Sequence, residues 1–539
     1  MAAALLAFGS PPPTPRWESL TRYTCGGLLL LAYVFFPSGL MQRSYLVHPI
    51  QLFAQTGGEL PVALREGLTE TIIYLRRDLF GEPLYYRLVT NAYSMSATSL
   101  SAQRYMKLFV YLPVALHPHP RRALLLCYGV GSTAKALTNT KSFETIDVVE
   151  ISQDILEMNR VVYPASTDRP LADPRVSVHI EDGRFFLQTT DRRFDLITGE
   201  PPPPKHAGVV ALYTREYFKL MWNRLADSGI VTYWFPANSL LEEDGKRIIR
   251  AFCDVFADCS LWHGSGFDWI LMGTRDLQGP VTEESFTRQW HDPVVGPELR
   301  ALGLEVPEQL GALFMADADT LHEITQGTKP LSDNYPKRLS NTIPRRTQSQ
   351  SVYRPWMDVN TAQARFLQSR SVAHLWSESL RRASLPYFAI QDTINHMLPG
   401  EPRLDVVANL PLLHQVLTRS TLRTFALWLL GSGASEQQAT SAAAAKGWRD
   451  PDLDYHLGAG ALADRDYIHA EARFQAGQKQ QATRREFLYL RIYALCMAGR
   501  REEAHQLVAR SGLRQGRDEN DRFFLRFLSD TFALDGPHG

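Results

Sequence analysis

Neither sign of charge is in excess in this chain: 57 lysines and arginines face 57 aspartates and glutamates. With no net charge to draw it to a phosphate backbone, it lacks the footprint of a general nucleic-acid binder, and no nucleic-acid partner is expected. Cysteine is scarce as well. Cys25, Cys127, Cys253, Cys259 and Cys496 are odd in number and widely scattered, which speaks against a disulfide framework and against a zinc site with paired ligand spacing. Reduced thiols, a cytoplasmic setting and no metal are the resulting expectations.

Long apolar runs are nearly missing too. One window, from Arg22 to Arg43, carries no charge between its ends and is strongly apolar from Leu28 to Phe36. It just reaches the about 20 residues that a helix needs to span a bilayer, but Gly26, Gly27, Pro37 and Gly39 shorten its reliable part. A membrane helix over about 24–40, a surface anchor, a hydrophobic docking helix and the edge of a larger membrane region all stay open. A cleaved signal peptide is disfavoured, because the run starts after Pro11-Pro12-Pro13 and no small-x-small site follows closely. Arg16 and Arg22 before the window outnumber Arg43 after it, so a lone span would send the rest of the chain outward. Attachment to the inner face of a membrane through this segment is the alternative to a freely cytoplasmic protein.

What is present is ordinary globular chain. At 539 residues, 45% apolar and 21% charged, it is long enough for roughly three or four domains. After the N-terminal segment 1–43, residues 44–120 alternate apolar and polar positions in short runs such as Thr71–Leu75 and Leu84–Val89, the pattern of a small antiparallel β domain. From 121 to 275 the runs Ala123–Tyr128, Thr145–Glu150, Val176–Ile180, Phe194–Ile197, Gly229–Trp234 and Trp269–Met272 alternate with helical stretches such as Asp154–Val162 and Arg215–Ala226. That grammar predicts a doubly wound, Rossmann-like α/β sheet. Residues 276–410 are mixed, with a turn-rich loop at Leu331–Pro336, and 411–539 read as wholly helical. There Tyr455 and Tyr489, Ala470 and Ala504, and Phe474 and Val508 recur at a spacing of 34, the period of tetratricopeptide-type helix pairs. The alternative is an ordinary helical domain. A repeat of this kind serves docking, so a protein partner is one expectation for this region.

The first strand of the α/β part runs into Cys127-Tyr128-Gly129-Val130-Gly131-Ser132-Thr133-Ala134. Glycines at a strand-to-helix junction let the backbone turn sharply and approach a ligand, and the helix N-terminus offers N–H groups. The next strand ends in Glu150, 21 residues after Gly129, where a carboxylate can accept both ribose hydroxyls. A nucleoside-bearing ligand follows, though Gly129, Gly131 and Ala134 fit a dinucleotide loop as well as a methyltransferase-like one. Asp182, before Gly183 at the end of the following strand, can accept from an adenine amino group or can simply form a turn.

At these residues the sequence resembles the spermidine synthase (polyamine aminopropyltransferase) family. Tyr105-Met106-Lys107-Leu108, Tyr128 to Thr133, Thr198-Gly199-Glu200 followed by Pro201 to Pro204, and Leu212 to Tyr217 carry the resemblance. It is closest to the soluble part of bacterial spermidine synthase-like proteins fused to a membrane region, and covers roughly residues 60–275. It implies a small N-terminal β domain, a Rossmann-like domain of class I methyltransferase type, and decarboxylated S-adenosylmethionine as co-substrate. By position, Gly129 and Gly131 would form the cofactor loop, Glu150 would hold the ribose, and Asp182 with Gly183 would face the adenine. A homodimer is left open.

The chain departs from the family on the acceptor side. Acids of the family pattern fall on Val130, Ser101, Ala102, Lys107 and Pro203, and each lost close pair matters by an energy on the order of kcal/mol. Glu200 remains as the candidate catalytic base, with a loop carboxylate as the alternative. Tyr105, Lys107, His206 and Tyr213 are the candidate lining of the substrate pocket, and Lys205 with His206 would give it basic character. Aromatics at such places also serve as core. The leading expectation is an aminopropyltransferase-like enzyme acting on a small-molecule amine or other nucleophile with a diverged acceptor site. Methyl transfer from S-adenosylmethionine and a non-catalytic nucleotide-binding scaffold are the competing readings.

Overall fold

The computed structural model describes residues 16–36, 38–40, 44, 47–67, 70–204, 208–334, 353–397, 405–515 and 518–534. The chain divides into two units, residues 1–59 and 60–539. The first contains helices Arg16–Val34 and Val47–Gly57. The Arg16–Val34 helix leaves Leu28 to Leu31 exposed and ends before Pro37; no helix among the described residues is long and apolar enough to cross a membrane.

In the second unit, β1 (Leu60–Glu66), β2 (Thr71–Leu79), β3 (Glu82–Thr90) and β4 (Tyr93–Ala97) form an antiparallel four-stranded sheet in chain order. Eight further strands follow: β5 (Arg122–Leu126), β6 (Thr145–Glu150), β7 (Val176–Ile180), β8 (Phe194–Gly199), β9 (Leu225–Pro236), β10 (Ser260–Ser265), β11 (Asp268–Thr274) and β12 (Phe314–Ala316). They form one sheet in the order β12-β10-β11-β9-β8-β5-β6-β7. Strands β5 to β9 pair in parallel, and β10 to β12 extend the β9 side antiparallel. The six apolar runs expected to be strands are strands. β10 and β12 escape the sequence reading because β10 mixes Ser260, His263 and Ser265 into its run and β12 is only three residues long.

The helix Leu100–Leu116 has no apolar stripe because every residue from Arg104 to Leu116 is buried. Pro113 lies inside it and cannot donate to the carbonyl of Phe109. The Thr232 hydroxyl on β9 supplies that donor instead, at 2.7 Å, which ties the helix to the sheet. Against its other side lies the region that the sequence leaves without a role. Phe286, Phe314, Phe366, Trp376 and Phe388 join the helix and the sheet in one core, with Phe286 and Trp376 ring centroids 4.7 Å apart. The opposite face of the sheet is covered by helices Gly183–Thr189, Arg215–Arg224 and Glu242–Cys253.

Arg104 fastens these layers. Its side chain is fully buried, and it donates to the carbonyls of Gly264 (3.1 Å) and Leu302 and to Gln391 Oε1 (2.8 Å). All three acceptors are neutral, so burial lowers its pKa to about 9, and it stays a cation at neutral pH.

One expectation from composition is corrected: Cys253 and Cys259 are joined by a disulfide, while Cys25, Cys127 and Cys496 are free. The pair links the end of the Glu242–Cys253 helix to the residue before β10. Its spacing of six is short and belongs to no metal or redox motif, which is why the scatter of cysteines concealed it.

The C-terminal region is all helical among its described residues. Helices Pro451–Ala463 and Tyr467–Gln480 form one pair, Arg485–Met497 and Arg501–Arg510 a second, and both members of the second pair begin 34 residues after their counterparts. Tyr455, Ala470, Phe474, Tyr489, Ala504 and Val508 are all buried.

Arg104→Met leaves three buried acceptors without a donor, at about 1–3 kcal/mol each. A loss of about 3 kcal/mol or more is expected, read as a lower melting temperature. Arg104→Lys is expected to recover only part of it, because an ammonium cannot reproduce the fork. An unchanged melting temperature for Arg104→Met would show that the buried fork stabilises nothing.

Candidate active site

The carboxyl edge of the parallel strands opens on a cavity of about 400 Å³. Open α/β sheets place ligands at this edge. The strand β5 runs into Cys127, Tyr128 and Gly129, and Gly131 caps the helix Ser132–Asn139. Gly129 and Gly131 both take positive φ, at 56° and 83°. A Cβ on Gly129 would stand 2.8 Å from Ser96 Oγ, because β4 of the small sheet crosses the loop closely. Ser96 also accepts the Val130 N–H at 3.0 Å.

Glu150, at the end of β6, accepts the Tyr128 N–H at 2.8 Å through one oxygen and the Ser152 N–H at 3.0 Å through the other. Its carboxylate thus fixes the glycine loop and still lines the cavity. Burial raises its pKa, and the charge of Glu70 adds to the rise against the backbone donors that oppose it. Asp182 accepts the Phe185 N–H at 2.9 Å and so caps the helix Gly183–Thr189. Both Asp182 and Gly183 line the same cavity. The turn reading and the ligand-facing reading of Asp182 are therefore compatible.

Glu200 follows β8 directly. Its N–H bonds the Leu126 carbonyl at 3.3 Å, and its Oε1 accepts the hydroxyl of Tyr105 at 2.5 Å. Burial pushes its carboxyl up to about 8, against the Tyr105 hydrogen bond that lowers it. Pro201 and Pro202 form part of the wall, and Tyr213, buried, sends its hydroxyl to the Pro202 carbonyl at 3.4 Å. Tyr213 thus supports the proline segment from behind. Arg184, which lines the cavity, donates to Asp333 Oδ1 at 3.0 Å, and Thr214 does so at 2.7 Å.

Gly129, Glu150, Asp182, Gly183 and Glu200 all line this cavity, and Tyr105 touches Glu200. Lys107 does not join them. It is buried and paired with Glu298 at 2.5 Å, and Glu298 also receives the Tyr111 hydroxyl and Asn139 Nδ2. Its placement in the substrate pocket is corrected: a buried ammonium needs a carboxylate, and Glu298 supplies one on the far side of the helix from Glu200. His206 and Lys205 lie outside the described residues. Two cavity acids escape the sequence reading. Glu70 precedes β2 and Glu181 sits beside Asp182, and neither belongs to a motif. Glu70, Glu150, Glu181, Asp182 and Glu200 face a single described cation, Arg184, among the lining residues, so the cavity favours a cationic ligand.

Strand order, glycine loop and acids at the strand ends define a Rossmann-like α/β fold of the methyltransferase type. A spermine/spermidine synthase domain matches residues 102–261. A polyamine aminopropyltransferase of Clostridium perfringens is 30% identical over 227 residues, which cover 41% of this chain and 78% of that relative. One from Alkaliphilus oremlandii is 26% identical over 191 residues, covering 35% and 66%. The chain belongs to the spermidine synthase family. Among solved structures, the spermidine synthase from Thermotoga maritima aligns with a TM-score of 0.37 and 18% identity over 43% of this chain and 79% of that one.

Glu200 makes the stability of the fold depend on pH. Its carboxyl titrates near 4.5 when unfolded and at about 8 when folded. Between those values the folded chain holds a proton that the unfolded chain has lost, so stability falls as pH rises through this window. Melting temperatures of Glu200→Gln are expected to fall less steeply than those of the wild type from about pH 5 to about pH 8. Parallel curves would show that Glu200 titrates alike in both states.

Proposed function

We propose that the protein is an aminopropyltransferase that takes its aminopropyl group from decarboxylated S-adenosylmethionine and gives it to a small-molecule amine. The observation that carries this reading is the gathering of Glu150, Asp182 and Glu200 on one acid-rich cavity at the carboxyl edge of the sheet. Glu150 would take the ribose hydroxyls, Asp182 and Gly183 would face the adenine, and the acids would stabilise the sulfonium charge. In the transfer, the lone pair of the amine nitrogen forms a bond to the methylene carbon next to sulfur. The carbon–sulfur bond breaks, its electron pair stays on sulfur, and methylthioadenosine leaves as a neutral thioether. The proton released by the nitrogen passes to the Glu200 carboxylate. With its carboxyl at about 8, Glu200 gains base character as pH rises, so turnover increases through that range. The C-terminal helix pairs we read as tetratricopeptide-type units.

Val130 favours one competing reading. Its side chain is apolar and buried, so the glycine loop offers no carboxylate to the ammonium of an aminopropyl tail. Ordinary S-adenosylmethionine as a methyl donor is the alternative that this residue raises.

Calorimetry with S-adenosylmethionine, its decarboxylated form and methylthioadenosine separates the readings. Binding of the decarboxylated form, and release of methylthioadenosine once an amine is added, is the expected result. A methylated product from S-adenosylmethionine would replace aminopropyl transfer with methyl transfer, and no binding of any of the three would overturn both. Glu150→Ala is expected to abolish nucleoside binding, whereas Glu200→Gln should bind as the wild type does and fail to turn over. Full turnover in Glu200→Gln would remove Glu200 from its proposed role.

A further inference from the structure

Among the described residues that line the acid-rich cavity, Arg184 is the one cation. It follows Gly183 at the start of the helix Gly183–Thr189, beside the place proposed for the adenine. A guanidinium keeps its charge at every working pH. Left alone, it would oppose the entry of a positively charged nucleoside that the five acids of the cavity favour.

A residue 149 positions further along the chain answers that charge. Arg184 binds both oxygens of Asp333, through Nη1 to Oδ1 at 3.0 Å and through Nη2 to Oδ2. The planar fork matches the carboxylate and fixes the pair more firmly than a single bond would. Asp333 is held from two further directions. Thr214, which caps the Arg215–Arg224 helix, donates to Oδ1 at 2.7 Å, and Glu216 of that helix accepts the Asp333 N–H at 3.0 Å. The loop before it is anchored as well, since the Leu331 carbonyl accepts the Arg215 N–H at 2.9 Å. Burial raises the Asp333 pKa, but the bonds from Arg184 and Thr214 outweigh it, so this carboxyl titrates below the ordinary aspartate value. Arg184 Nη1 also donates to the carbonyl of Ala211, a wall residue, at 3.0 Å. The guanidinium thus stays in the wall while its charge is met from outside. An ion pair whose side chains are 22% and 34% exposed adds little to stability. Its effect falls on the ligand instead.

We propose that Asp333 sets the charge preference of the nucleoside site, cancelling the charge of Arg184 so that the cavity takes a cationic sulfonium nucleoside in preference to its neutral thioether. This rests on the aminopropyl-transfer reading and adds to it a specificity determinant from outside the matched residues 102–261. Asp333 acts through Arg184 and is a positioning residue. Transfer turns the one ligand into the other, because the carbon–sulfur bond that breaks leaves its electron pair on sulfur. A site with this preference holds the donor and loosens on methylthioadenosine once the positive charge is gone.

The test is calorimetry on the full chain at low salt, comparing decarboxylated S-adenosylmethionine with methylthioadenosine. The wild type is expected to prefer the cationic ligand by about tenfold or more. Asp333→Asn should weaken the cationic ligand by about tenfold and leave methylthioadenosine within about twofold, as one uncancelled charge near the ligand requires. Unchanged methylthioadenosine binding also reports an intact fold. Removing the guanidinium as well, in Arg184→Gln combined with Asp333→Asn, should restore the preference, which a merely structural role of Asp333 would not do. Equal loss for both ligands in Asp333→Asn, a preference that survives it, or a double variant no better than Asp333→Asn overturns the assignment. So does a wild type that binds both ligands without the preference, and in each of these cases the transfer reading stands. A wild type that binds neither overturns both.

Discussion

The buried guanidinium of Arg104 is the constraint around which the α/β unit is assembled. A cation held away from water with only neutral partners tolerates little misplacement, because each lost hydrogen bond leaves part of its charge unsolvated. Its acceptors come from the end of β10, from the residue after the Val295–Ala301 helix and from the Tyr387–Met397 helix. Those segments are 160 to 287 residues away in sequence. Holding them fixes the rotation of the central helix, and the next residue along it is Tyr105. The orientation of the phenol against Glu200 thus depends on contacts made outside the family's matched region.

A second constraint is the crowding of acids with few counterions. The charge of Glu70 adds to the rise at Glu150 and that of Asp268 to the rise at Glu200, and burial keeps part of this charge neutral by protonation. Tyr105 works against that at Glu200, since its hydroxyl stabilises the ionised form. The balance leaves the carboxyl titrating near neutral pH rather than as a surface glutamate, which is the property a base for an amine requires. Global neutrality, 57 charges of each sign, says nothing of this local arrangement.

The parts of the fold legible in sequence are those written in contiguous residues. Six strands follow from apolar runs, the glycine loop from its own spacing, and Glu150, Asp182 and Glu200 from their places at strand ends. What escaped depends on partners distant in the chain. Leu100–Leu116 shows no apolar face because the 276–397 region buries the side that would otherwise be polar. Lys107 looked like a pocket cation because Glu298, its partner, is 191 residues away. Glu70 and Asp268 stand outside any motif, since one comes from the small sheet and the other from an antiparallel strand added beyond the parallel ones. The Cys253–Cys259 pair is local in sequence, yet two cysteines six apart carry no signal until a helix end and a strand start meet.

Lys107 shows how a departure from a family pattern should be weighed. An acid replaced by lysine near a motif tyrosine invites the conclusion that the pocket has become basic. On a helix, however, Tyr105 and Lys107 are two positions apart and face different directions. The tyrosine meets Glu200, and the lysine meets Glu298, which also accepts from Tyr111 and Asn139. The substitution therefore adds a buried ion pair between the central helix and the Val295–Ala301 helix, and removes no negative charge from the cavity lined by Glu70, Glu150, Glu181, Asp182 and Glu200. Charge counted along the chain and charge felt by a ligand separate here because helical periodicity sends neighbouring residues to different environments.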